Sequence, residues 1–182
     1  TLSIKTNPEW ARVISPGISY IGAQDLFYEE TPHCRLVPYE ETSTVNNIRD
    51  FVLPESFKKA LRSYLLASAQ GLDTPKKFHK TNSTFMVHPD IYNITHEHWR
   101  VIIRDEIKIW CQDIDDNQEQ FLLSNKKYFE SEYERLKKTC KKEGTQISKF
   151  ETLFRYVPDI IREVQLTKVN KESNEIDWGA RH

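Results

Sequence analysis

From Val45 onward, apolar residues recur every three to four positions, and this periodicity constrains the fold more than any other feature of the sequence. Side chains at that spacing share one face of an α-helix. The 182 residues include only 5 glycines, so few positions favour a tight turn. The pattern therefore predicts a mainly α protein, a bundle of about four helices in antiparallel or orthogonal packing.

The first two predicted helices carry recognisable start and stop signals. Pro54 stands at a favourable first position, and Gly71 is a residue typical of helix ends. The second helix is expected to begin at Thr95 as its N-cap, with Glu97 in the first turn, near the positive end of the helix dipole. The buried stripe expected for the first helix is narrow: Phe57, Ala60, Leu61, Tyr64, Leu65 and Ser68.

Two more helices are predicted in the second half of the chain. The third is expected to use Asp115 or Asp116 as its N-cap and to end at Gly144. The fourth covers about residues 146–165, and Pro158 should kink or break it, because proline removes a helical hydrogen bond.

The segments outside these helices differ in character. Pro16-Gly17 separates the first two of three short β-type runs near the start of the chain, which are Ala11–Ser15, Ile18–Ile21 and Cys34–Val37. The connection over residues 72–94 is long, and Phe85, Met86 and Val87 are expected to pack down within it. The predicted organisation has three parts, an extended or β-hairpin arm, a helical domain and a polar C-terminal tail: residues 1–45, 46–166 and 167–182.

The stretch around His96 and His98 resembles a metal site at first sight. Metal-binding helices place histidines four positions apart on one face, whereas residues two apart point to nearly opposite sides. A calcium loop starting at Asp113 also fails, because it needs glycine and glutamate where Gln118 and Ser124 stand. We therefore expect no metal and no cofactor.

No common catalytic signature is present in the sequence. It contains no GxSxG elbow, no Walker loop and no GxGxxG motif. The chain is therefore predicted not to be an enzyme. An enzyme whose site is assembled from distant residues remains the least favoured alternative.

Positive charge is concentrated in two lysine clusters, the first in residues 76–80 and the second in residues 135–142, although the net charge is only −1. Lysines on a loop and on a helix end are suited to contact nucleic-acid phosphates. A solvated helix face with lysines near its negative end explains the second cluster equally simply. DNA or RNA binding is therefore an alternative function, and its residues are Lys76, Lys77, Lys80, Lys137, Lys138, Lys141 and Lys142.

The leading prediction is a protein–protein interaction domain, a scaffold in a larger intracellular assembly, with another protein subunit as partner. The flanking segments are rich in the aromatic residues that interfaces use as anchors. Three cysteines without a framework spacing favour a reducing compartment, the nucleus or the cytoplasm. No apolar run is long enough for a membrane helix, so no membrane partner is expected. The candidate interface residues are Trp10, Phe27, Tyr28 and Trp178.

Overall fold

The computed structural model describes most of the helical region and little of the two flanking segments. The described residues are 35, 37–38, 40–41, 53–74, 83–89, 93–167 and 169. From Val37 onward they belong to one compact unit. This part of the chain is mainly helical, as predicted, and its helices are α1 (Glu55–Asp73), α2 (Asn93–Lys142) and α3 (Phe150–Glu163).

The extended or β-hairpin segment predicted for residues 1–45 is not supported as a β structure. Its first two β-type runs lie outside the described residues. In the third run, Arg35 and Val37 are irregular rather than extended in a strand. Pro38 follows them and cannot donate a ladder hydrogen bond, which disfavours pairing at this point.

The described residues contain three helices where four were predicted, because the expected second and third helices form one element, α2. Only Asn117 departs from helical geometry, with φ −161° and ψ 91°. Its side-chain oxygen accepts a hydrogen bond from the backbone N–H of Gln120 at 3.0 Å, the N-cap arrangement. Asn117 thus provides the cap expected of Asp115 or Asp116, and the chain re-enters a helix without a loop. The parts before and after Asn117 are called the N-terminal arm and the C-terminal arm of α2.

Two predicted helix boundaries are wrong by a few residues. α1 continues through Gly71 to Asp73, where the N–H of Thr74 bonds the carbonyl of Gln70 at 3.1 Å. α2 begins at Asn93, so Thr95 lies inside the helix rather than at its N-cap. Helix ends depend on local hydrogen bonding, which periodicity does not reveal.

The end of α2 was predicted well. Gly144 has a φ of 65°, a conformation that glycine adopts without steric cost. The N–H of Thr145 bonds the carbonyl of Cys140 at 2.8 Å, and the N–H of Gly144 bonds that of Lys141 at 3.3 Å. This pair of hydrogen bonds is the Schellman motif, which satisfies carbonyl groups left over at a helix end.

α3 is shorter than expected and is not broken by its proline. It begins at Phe150 instead of residue 146, and it continues through Pro158 to Glu163. Pro158 is fully buried. Its packing in the core offsets the hydrogen bond that its missing N–H removes from the helix.

The core lies where all three helices meet, since each helix packs against the other two. α1 consequently buries a wider face than the predicted stripe, including Leu66 and Ala69. In the long connection, Phe85 stacks on Tyr64 with ring centroids 5.3 Å apart and Val87 contacts the core, whereas Met86 is 85% exposed and does not pack down. The largest fully buried side chains are Phe129, Leu65, Leu66, Ile114, Leu153, Ile161, Val157 and Pro158.

Candidate functional site: a groove with a cationic rim

The second lysine cluster lies on the exposed end of the C-terminal arm. Lys137, Lys138, Lys141 and Lys142 are all exposed. Carboxylates share this face: the Nζ atom of Lys137 is 3.4 Å from Glu134 Oε1, and Lys126 approaches Glu130 at 3.7 Å further back along the arm. The cluster is thus accessible, but nearby acidic side chains reduce its positive field.

The other predicted contact residues lie outside the described part of the chain. This applies to the first lysine cluster, Lys76, Lys77 and Lys80, and to the aromatic interface candidates, Trp10, Phe27, Tyr28 and Trp178.

His96 and His98 are half-buried in the first turns of α2, and the ring of His96 lies 5.2 Å from that of His88. Over the residues that the structure describes, no three His, Cys, Asp or Glu side chains gather in a way that would hold a metal ion. None of the described helices is long and apolar enough to cross a membrane.

A groove of about 310 Å³ lies between the N-terminal arm of α2 and the end of α3. Ile107 and Cys111 of α2 line one side of it, and Ile161, Val164 and Leu166 line the other. Ile107 and Ile161 are buried, whereas Leu166 is 37% exposed at the mouth. The floor of the groove is therefore apolar and partly accessible to solvent.

Four cationic side chains complete the lining of the groove. Arg100, Arg104 and Lys108 are spaced four residues apart, so they form one row along α2 with steps of about 6 Å. Arg162 lines the groove from α3, on the other wall. No carboxylate is among the lining residues, so basic side chains border an apolar floor, and their acidic partners lie just outside the groove.

The guanidinium groups of the rim are held by carboxylates that lie outside the lining. Arg100 Nε donates to both carboxylate oxygens of Glu97 at 3.1 Å. Arg162 Nε donates to Asp115 Oδ1 at 3.1 Å, and this contact links α3 to α2. Hydrogen bonding and attraction from Glu97 raise the pKa of Arg100 further, so that side chain stays charged. Arg104 Nε donates to Asp105 Oδ1 at 3.1 Å, and Arg162 Nη1 donates to Asp159 Oδ1 at 3.3 Å. Each rim arginine is therefore paired with a carboxylate just outside the lining, which orients the side chain and reduces the positive field of the rim.

Cys111 is the one nucleophilic side chain that lines this groove. Its thiol lies 3.8 Å from the carbonyl oxygen of Ile161, to which it can donate. Burial, and then the charge of Asp115, raise the pKa of Cys111, and Arg162 offsets this only partly. A thiol with a raised pKa is a weak nucleophile at neutral pH.

The sequence contained a signal for one wall of this groove that the predictions missed. Arg100, Arg104 and Lys108 recur at four-residue spacing, and such a row can be found by inspection. Arg162 and Leu166 join them only through packing of α3 on α2, which no local pattern specifies.

Comparison with known proteins identifies the family. Neither the curated proteins nor the solved structures include a match to this chain. The sequence profile of the Z1 domain matches residues 56–182, well over half of the chain and nearly all of the three helices described above. This chain therefore belongs to the Z1 domain family.

Proposed function

We propose that this Z1 domain is a non-enzymatic protein-interaction domain, a scaffold within a larger intracellular assembly, with another protein subunit as its partner. The observation that carries the proposal is the groove between α2 and α3, with its apolar floor and cationic rim. Protein interfaces combine an apolar centre with a polar border and are enriched in arginine.

Several details of the groove support a protein ligand. Leu166 is partly exposed at its mouth, so a ligand side chain there would remove apolar surface from water. The arginines are already oriented by Glu97 and Asp115, so binding would cost less side-chain entropy than it does for unrestrained arginines.

A random-peptide display selection on the full chain tests the proposal. Binders should be recovered from the wild-type protein and should lose affinity for Leu166→Ser in calorimetric titration. Leu123→Ser is the matched control, because Leu123 is 64% exposed on the C-terminal arm and does not line the groove. If every recovered peptide binds both variants as tightly as the wild type, the groove is not an interaction site and the proposal fails.

Nucleic-acid binding is the second candidate, and one observation favours it. Lys137, Lys138, Lys141 and Lys142 are all exposed at one end of α2, where they are able to contact phosphates. The sequence pI of about 6.6 weighs against it, since dedicated nucleic-acid domains are usually strongly basic.

Fluorescence anisotropy with a generic duplex and a single strand, at low and near-physiological salt, tests this alternative. Binding that falls steeply with salt, and weakens several-fold when the four lysines are replaced by glutamate, would support it. Absence of binding at low salt would eliminate it.

A further inference from the structure

We draw no further inference here: the strongest candidate, the apolar floor of the groove between the N-terminal arm of α2 and the end of α3, belongs to the site already described, and nothing in the structure shows what covers it, since each arginine on its rim is already paired with a carboxylate.

Discussion

The hydroxyl of Ser63 donates a hydrogen bond to a carboxylate oxygen of Glu132 at 2.8 Å, and this contact joins α1 to the C-terminal arm of α2. Glu132 is only 3% exposed, and Arg135 Nε lies 3.6 Å from the same oxygen. Arg62 of α1 is also buried, and its guanidinium lies 4.8 Å from the ring centroid of Tyr128. This helix pair therefore buries charge as well as apolar surface.

Replacing Ser63 with alanine should lower the free energy of unfolding by about 1.5–3 kcal/mol, because the buried carboxylate of Glu132 loses a donor. Ser131→Ala is the control, since Ser131 is exposed on the C-terminal arm of α2 and should change stability by less than about 0.5 kcal/mol. Urea unfolding curves for both variants check the expectation. If the urea midpoint of Ser63→Ala equalled that of Ser131→Ala, the Ser63 hydroxyl would contribute nothing to stability.

The break in α2 should depend on the side chain of Asn117. Asn117→Ala removes the acceptor that caps the N–H of Gln120 and should cost about 1 kcal/mol. Asn117→Asp keeps an acceptor and should remain close to wild type, and Gln112→Ala on the exposed face of the N-terminal arm serves as control. Thermal unfolding followed by circular dichroism distinguishes them. An alanine variant as stable as the aspartate variant would contradict the capping role.

Replacing either of two glycines with alanine should change the free energy of unfolding, but in opposite directions. Gly71 is helical and has open space around it, so Gly71→Ala should stabilise the protein by about 0.5–1 kcal/mol. Gly144 also has open space but a φ of 65°, so Gly144→Ala should destabilise it by about 1–2 kcal/mol. Chemical denaturation of the two variants measures both changes, and a shared sign would refute the conformational explanation.

Stability should depend on the ionisation of Glu41. Its carboxylate accepts a hydrogen bond from the backbone N–H of Ser56 at 2.9 Å at the start of α1, where Pro54 has no capping side chain. Hydrogen bonds from Ser56, with a smaller contribution from Lys59, lower the pKa of Glu41. A lowered folded-state pKa means that the contribution is present at neutral pH and is lost as the pH falls through that pKa.

The test compares melting temperatures of wild type and Glu41→Gln from neutral to acidic pH. The variant should be less stable at neutral pH, and its difference from wild type should shrink as the pH falls. Glu163→Gln, at the exposed end of α3, should not produce this convergence. A constant difference at all pH values would exclude a charged cap.

Cys111 should alkylate slowly at neutral pH. Burial and Asp115 raise its pKa, so its thiolate fraction lies below that of an ordinary thiol, and Arg162 limits the effect. Arg162→Gln should therefore raise the pKa of Cys111 further and shift its alkylation profile to higher pH. Rates measured across pH by mass spectrometry test this, and a shift to lower pH would contradict it.

The sequence predicted the mainly α class, because helical periodicity depends on local spacing. It placed a boundary between two helices at Asp115 or Asp116, whereas the structure has one element with a break at Asn117, which caps the turn that follows. Pro158 was expected to kink or break α3, but the helix continues through it. The burial of Pro158 depends on tertiary packing, which the sequence does not reveal. For the same reason the row of Arg100, Arg104 and Lys108 is visible in the sequence, but the opposite wall with Arg162 is not.

The short turn after α2 bears on how the chain assembles. The C-terminal arm of α2 and α3 form a helical hairpin, and only residues 143–149 separate them. Closing this hairpin therefore costs little chain entropy. Phe129 and Phe154 meet across it with ring centroids 5.2 Å apart. α1 leaves the ribosome earlier, yet the surfaces on which it packs belong to segments made later. We therefore expect the helical hairpin to form first and α1 to remain exposed to chaperones until then.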